Sequence, residues 1–531
     1  MRPAEGRPAA AARAAARRAD ALRWTIPWQP WSVLLPLVLV QWAAVAGLAV
    51  ATRHNSWLYY QGGDQTWYWT SAWAIANGSI PYAAVGWGWS YLAAPVALAV
   101  GPDFLEGLPV LVLLQTAVIL PLLLLSIYSL GARIAGRRWG YWAAAFWVAA
   151  PFLAILGWDP RYHERWVEQF LPQLLGLTGM SDLAATAAVT GAAALLLRAL
   201  QERDVPVALL SGLVAGFSLG VKPACAPFLV GAGLALIAAR RWREGAAFAA
   251  ALLPGVVVLA LWKQRGLGES PLFALDQPWL AASAGTATIA LPIAMSGIGR
   301  YVSFDWSHLN EQLVALREYF WSPRLLEALP LAGLIAVARR SLPATALLCG
   351  WFGAFLAIKG TYAFSTVDSG SFWRMLMPAL PAYGLLAALV PSLVPAWRPA
   401  RGTALSPGRP RQSLRRPRQT VAIAAVVLAA LPIALFAAGG DVPAGSTVRD
   451  PASGLYLTTS RGLDLQAQLE GDEVRLSWRR PPSDPLRATG YVDRPGPGRW
   501  SYAVQVRANW RDDPSMGDPL LYSRPVAVDV G

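Results

Sequence analysis

An aspartate set among glycines and tryptophans is the first residue of this chain whose surroundings suit acid–base chemistry. Asp64 stands in Gly62-Gly63-Asp64-Gln65-Thr66-Trp67-Tyr68-Trp69, and the stretch runs on through Ala76-Asn77-Gly78-Ser79-Ile80-Pro81-Tyr82. It follows the first long apolar segment, Trp31 to Ala51, which puts a carboxylate within about a dozen residues of the expected end of a membrane span. At that level, among aromatics that favour the lipid headgroups, a carboxylate can be held at the mouth of a cavity between helices and accept a proton. The plainer alternative is a solvated loop aspartate. A second group, His163-Glu164 with Glu168, would bring a histidine and carboxylates near one face of a helix and offer a metal two kinds of ligand. Neither HExxH nor a full ligand set accompanies it, so surface polarity weighs more heavily and no metal site is assigned.

Composition fixes the setting of these groups. The chain has 531 residues, 55% of them hydrophobic and only 14% charged, with a mean hydropathy of +0.39. A soluble protein of this length could not cover that apolar content with polar surface, so the expectation is a polytopic membrane protein. The formal charge of +14 would suggest nucleic acid if the arginines formed one patch. They fall instead in short clusters between apolar segments, where they act as topology signals. Cys225 and Cys349 lie in apolar runs without CxxC or metal spacing and read as small apolar residues.

Segments long enough to cross follow the first at about Leu108 to Leu130, Trp139 to Leu156, Leu183 to Leu197, Val205 to Val221, Ala224 to Ala239, Ala246 to Trp262, Leu325 to Ala338, Leu342 to Ile358, Met375 to Val394 and Val421 to Ala438. That is about eleven spans in a transmembrane domain over 31–438, several of them short for a core of about 30 Å. Arg133, Arg137 and Arg138; Arg198 and Arg203; Arg240, Arg241 and Arg243; Arg339 and Arg340; and the loop Arg398 to Arg418 occupy alternate connections, as the positive-inside rule requires. The Ala/Arg-rich residues 1–30 are then cytoplasmic. A cleavable leader ending at Ala49-Val50-Ala51 is the alternative, although the apolar run is about twice an ordinary leader core; either choice puts Asp64 outside. To keep the parity, the short Pro-containing piece Trp89 to Val100 is expected to lie flat on the outer surface. Two long external loops result, 52–107 and 263–323, the second with an apolar interior, Thr286 to Ile298, that either re-enters the membrane or packs outside.

From about Gly440 the periodicity changes. Val474 to Trp478, Tyr502 to Val506 and Val526 to Val530 alternate with period two and are separated by proline- and glycine-rich turns, so residues 439–531 are expected to form a small extracytoplasmic all-β domain. Trp478 before Pro481 and Pro482, and the Tyr502-x-Val504-x-Val506 strand, resemble a fibronectin type III-like sandwich over about 80 residues. Such a module would bind acceptor or partner and be separable from any chemistry in the membrane domain.

The order of features over about Trp31 to Val390 resembles the C-type (GT-C) integral-membrane glycosyltransferases, the group of the protein O-mannosyltransferases and the aminoarabinose transferases of lipid A. Those proteins carry an acidic motif after the first span, then an aromatic helix and a Gly-x-x-Pro element, matched by Asp64-Gln65, Trp67 to Trp73 and Gly78 to Tyr82. A second acidic residue opens a Leu/Ala-rich helix ending in Arg-Ala-Leu, matched by Asp182 through Arg198-Ala199-Leu200. A Gly-rich hairpin ending in Lys-Pro is matched by Gly212, Gly216, Gly220, Lys222 and Pro223, and a late Arg-x-x-x-Pro-x-x-Pro element by Arg374, Pro378 and Pro381. The departure is Gln65 where relatives often have Glu, which leaves one carboxylate in the first motif.

The resemblance implies an all-α domain of about eleven transmembrane helices that transfers a sugar from a polyprenyl-phosphate carrier to an envelope glycan, glycolipid or protein acceptor. Asp64 would be the base, Asp182 a second carboxylate that orients the acceptor or holds a divalent metal, and Lys222 and Arg374 the donor-phosphate ligands. The plain alternatives are that Lys222 snorkels from a helix end and that Arg374 anchors an interface. Gln65, Trp67, Tyr68, Tyr82, His163 and Glu164 are further candidates to line the substrate site, and some of the 26 tryptophans would stack on sugar or isoprenoid while most anchor the membrane interface. The rival class is a transporter or flippase of envelope lipid or sugar precursors, for which charges at mid-membrane and broken helices are expected; a third is a non-catalytic scaffold that displays the β domain. The arginine alternation requires Ser413 inside and Ser483 outside. Cysteine-accessibility labelling at these two positions checks it, and labelling from one side alone overturns the arrangement.

Overall fold

The computed structural model describes residues 31–51, 64–79, 86–157, 172–267, 305–319, 321, 324–362, 365–367, 371–394, 447–449, 456–460, 463–479, 490–507 and 519–531. Its helices, in chain order, are α1 (Trp31–Ala51), α2 (Asp64–Ala76), α3 (Trp87–Val100), α4 (Phe104–Leu114), α5 (Leu120–Ala135), α6 (Arg137–Gly157), α7 (Pro172–Leu175), α8 (Asp182–Glu202), α9 (Val205–Val221), α10 (Phe228–Ala239), α11 (Trp242–Leu267), α12 (Trp306–Tyr319), α13 (Arg324–Ala338), α14 (Leu342–Gly360), α15 (Ser371–Leu376) and α16 (Leu380–Leu389). A π-helical turn, Gln115–Ile119, joins α4 to α5. Each apolar segment expected to cross is helical, except 421–438, which lies outside the described residues; Leu108 to Leu130 is divided between α4 and α5 by the π turn, and Met375 to Val394 between α15 and α16 by a 3-10 turn. Among the described residues five helical stretches are long and apolar enough to span a bilayer on length and composition, Glu106–Ala135 (α4 with α5), Asp182–Glu202, Trp242–Trp262, Leu342–Gly360 and Phe372–Leu393 (α15 with α16), and shorter apolar helices stand beside them. The apolar interior 286–298 also lies outside the described residues.

Local chemistry starts and stops the helices. Asp204 caps α9 by accepting from the Val207 N–H at 3.2 Å, with proline in the first turn, and Ser341 caps α14 through the Ala344 N–H at 3.3 Å. Both prolines sit where a missing N–H costs nothing.

α8 is the axis of the bundle. Leu183, Ala185, Val189, Ala192, Ala193, Leu196 and Leu197 are fully buried, and the helix packs on α5, α9, α10 and α14. Its alanines keep the partners close, as small residues do in membrane bundles, where dispersion replaces the hydrophobic drive. The glycine series of α9 serves the same purpose. A Cβ on Gly212 would lie 2.2 Å from the Phe248 carbonyl oxygen of α11, and one on Gly220 would lie 2.4 Å from the Trp87 indole of α3. Around this centre, α1, α10, α11 and α13 turn Leu35, Leu39, Ile237, Leu253, Leu325 and Leu331 outward, the apolar belt that a bilayer covers. α3, expected to lie flat on the outer surface, packs against α2, α4 and α9, with Trp89 and Ala97 fully buried.

Among the described residues nine strands follow the helices: β1 (Thr447–Arg449), β2 (Tyr456–Ser460), β3 (Gln466–Glu470), β4 (Glu473–Ser477), β5 (Gly490–Asp493), β6 (Gly498–Tyr502), β7 (Gln505–Arg507), β8 (Pro519–Ser523) and β9 (Val526–Val530). They pair in the orders β1-β2-β8-β7, β3-β4-β5 and β6-β9, and the second and third of these enclose a small core of Leu465, Val474, Leu476 and Val530. The β2–β8 pair is parallel, a departure from the antiparallel sheets of the type III module. The alternating run from Tyr502 to Val506 divides, because Tyr502 ends β6 against Val526 while Gln505 begins β7 against Tyr522.

The strand region is tied to the helices. The Thr458 N–H of β2 donates to Thr70 Oγ1 of α2 at 2.8 Å, and Ser460 Oγ donates to Asp103 Oδ2 at 2.7 Å, both buried. Leu463, just after β2, belongs to the helical core. Ser460→Ala leaves the Asp103 carboxylate without that partner and is expected to destabilise the fold by about 1 to 3 kcal/mol, while a change at exposed Arg475 is not. Thermal unfolding in detergent, followed by tryptophan fluorescence, checks the difference.

Candidate active site

Four charged side chains, spread from residue 64 to residue 374, meet at helix ends. Asp64 is the first residue of α2 and Asp182 the first of α8, the ends where a helix dipole favours an anion. Lys222 is the residue that ends α9, and Arg374 stands in the last turn of α15, the ends that favour a cation. Arg374 Nη2 donates to Asp64 Oδ2 at 2.8 Å and lies 3.7 Å from Asp182 Oδ2. Lys222 forms an ion pair with Asp182 Oδ1 and donates to the Arg374 carbonyl oxygen at 2.9 Å. The two carboxylates are thus bridged by one guanidinium, and the lysine holds both the inner carboxylate and the backbone of the arginine.

Exposure separates the two acids. The Asp182 side chain is 1% exposed and Lys222 9%, so this pair is buried in the body of the protein. Asp64 is 38% exposed and Arg374 23%. Asp64 can therefore meet a solute, whereas Asp182 serves chiefly to fix the cations. Arg374 Nε is buried without a hydrogen-bond partner, as is Asp182 Oδ2. The guanidinium thus keeps one donor unused beside a half-open carboxylate.

The segment leading into α8 is staked from three sides. The Gly179 N–H donates to Gln65 Oε1 at 2.5 Å, Trp89 Nε1 to the Gly179 carbonyl at 2.8 Å, and Gln115 Nε2 to the Thr178 and Met180 carbonyls at 2.7 and 3.1 Å. Ser181 Oγ donates to Tyr68 Oη at 2.7 Å. Burial, reinforced by the Asp64 carboxylate, raises the Tyr68 phenol well above its ordinary range, so it stays protonated. Gln65 and Tyr68, candidates to line a substrate site, are turned inward and hold the approach to Asp182. Trp67 is half-buried against the core. Tyr82, His163 and Glu164 lie outside the described residues.

The sequence marks neither Ser181 nor Gln115 as a site residue, and it marks Trp89 only as one of the tryptophans that crowd the first external loop. The only signal for Gln115 is an amide inside an apolar run, and the π-helical turn that it opens widens the helix at that point. The sequence leaves a divalent metal open at Asp182. Both carboxylates already face cations, and no cluster of three His, Cys, Asp or Glu side chains occurs among the described residues. The ligand set does not fit a divalent ion there, and no step is routed through one.

No family model matches the chain, and no curated protein matches it. Among solved structures it is similar to the apo oligosaccharyltransferase of Archaeoglobus fulgidus, at 16% identity and a TM-score of 0.40, over 79% of this chain and 57% of that one. It is also similar to the archaeal oligosaccharyltransferase AglB from the same organism in complex with an inhibitory peptide and a dolichol-phosphate, at 16% identity and 0.43, over 80% and 57%. A third is ArnT from Cupriavidus metallidurans bound to undecaprenyl phosphate, at 16% identity and 0.41, over 68% and 60%. The match spans less than two thirds of the length of each of these proteins.

The buried pair makes a stability prediction. Lys222→Met leaves Asp182 with only the more distant Arg374 and is expected to cost about 3 to 5 kcal/mol. Adding Asp182→Asn removes the uncompensated charge, so the double variant should recover part of that loss. Thermal melts of the two single variants and the double variant check it, and additive losses would mean that the pair is not coupled.

Proposed function

We propose that this chain is a membrane glycosyltransferase that moves a sugar from a polyprenyl-phosphate carrier to an acceptor hydroxyl at the outer face of the membrane. The observation that carries the proposal is the half-exposed Asp64 carboxylate held 2.8 Å from Arg374, whose Nε–H is still free. Sugar transfer from a phosphate carrier needs such an arrangement: a base for the acceptor proton and cations for the departing phosphate. The motif order from Asp64 to Pro381 supports the same class.

In this reaction the acceptor oxygen attacks the anomeric carbon and its proton passes to Asp64. The bond from the anomeric carbon to the phosphate oxygen breaks, and its electron pair stays on the phosphate, beside Arg374 and Lys222. Pairing with Arg374 aims the Asp64 carboxylate, and the proton is taken late, once bonding to carbon has made the hydroxyl acidic. Asp182 fixes both cations from below. A transporter would distribute its charges along a path through the membrane, whereas these four converge on one another.

Asp64→Asn keeps the size of the side chain and removes the proton acceptor. Turnover should fall by about 10²- to 10⁴-fold with carrier binding retained. Release of carrier phosphate from a panel of polyprenyl-phosphate sugars, by the purified wild type and this variant, checks it. Near-normal turnover in the variant would make Asp64 structural.

A further inference from the structure

Lys359 is a buried cation that the mechanism above does not use. It stands in the last turn of α14 and is 5% exposed. Its ammonium lies 5.0 Å from the centre of the Tyr362 ring. Among the described residues it forms no ion pair with any carboxylate, and the like charge that acts on it is the Lys222 ammonium. The end of α14 abuts the helix that carries Arg374: α14 packs on α15, and a Cβ on Gly360 would meet the Phe372 ring at 3.9 Å. Burying an ammonium without a counter-charge, next to a like charge, is costly unless an anion completes the site.

The charge balance says how much anion is missing. Asp64 and Asp182 offset Lys222 and Arg374, so Lys359 leaves these five groups with one positive charge. We propose that Lys359 recognises the phosphate of the carrier lipid and in particular the second negative charge that the phosphate acquires when the sugar leaves. This rests on the proposed function. The bound donor is a phosphodiester with one charge, which matches the surplus. When the bond from the anomeric carbon to the phosphate oxygen breaks, the electron pair remains on that oxygen and the acceptor proton resides on Asp64. The carrier is then a phosphomonoester whose second ionisation lies near pH 6, so it is close to a dianion at neutral pH. The Asp64 charge has in effect moved onto the phosphate. An ammonium at this position, with the Arg374 Nε–H, favours that charge shift.

The test uses the full chain in detergent at pH 7 and two probes, a short-chain polyprenyl phosphate and its methyl ester, a diester with one charge. The wild type should bind the monoester more tightly than the methyl ester. Lys359→Met should weaken monoester binding by about 10- to 100-fold, the worth of a charge-assisted hydrogen bond, with a smaller loss for the ester. Lys359→Arg should restore the preference. Lys359→Gln, polar but uncharged, carries the same test if the Met variant does not fold. Unchanged binding in the neutral variants, or equal weakening of both probes, overturns the role of Lys359 and leaves the proposed reaction standing. A wild type that binds neither probe overturns both.

Discussion

A carboxylate buried at the first residue of a central helix sets the terms for what surrounds it. Asp182 has almost no contact with solvent, and a lone ionised carboxylate in such a place would cost several kcal/mol. It is affordable only because Lys222 and Arg374 reach it from the ends of α9 and α15. Bringing those ends together is a packing problem before it is an electrostatic one. α9 must stop against α3, which the bare Cα of Gly220 beneath the Trp87 ring allows, and it must run close to α11, which Gly212 allows. The charge cluster and the small-residue seams are therefore two aspects of one constraint.

Helix ends are where a membrane protein can keep such groups. An ionised side chain in mid-helix faces hydrocarbon or needs a full set of internal partners, whereas at a helix terminus the dipole contributes and the chain leaves the apolar layer. Both acids here open helices, and the cations Lys222, Lys359 and Arg374 close them. Exposure then separates the two acids: the inner carboxylate is enclosed with its cations and the outer one is open to solvent.

The strands contribute from the other side. β2 seats on α2 through Thr70 and on Asp103 through Ser460. The helix that begins at Asp64 is thus held between the body of the bundle and the strand region. The sequence expectation of a module independent of the membrane domain did not foresee this, because alternation within a strand reports which face is apolar and not what that face meets.

Much of the architecture was legible from the chain itself. Apolar run length located each helix that the structure describes among the expected spans, because the thickness of a bilayer and the rise of a helix allow few other solutions. Asp64, Asp182, Lys222 and Arg374 were legible as charges at span ends, and the order of motifs around them suggested one site. What remained hidden was who faces whom. Arg374 bonds Asp64 across 310 positions of chain, and nothing in local spacing records that meeting. Gln65 and Tyr68 were legible as polar neighbours of Asp64, but only the packing of α2 on the Gly179 segment turned them inward. Lys359 passed unnoticed because one lysine at the end of an apolar run looks like any snorkelling side chain until its neighbours are known. The sequence by itself determined where the helices start, stop and carry charge, since these follow from hydrophobicity and dipoles along the chain. Tertiary structure alone decided which ends converge, since that depends on how small-residue surfaces distant in sequence fit against one another.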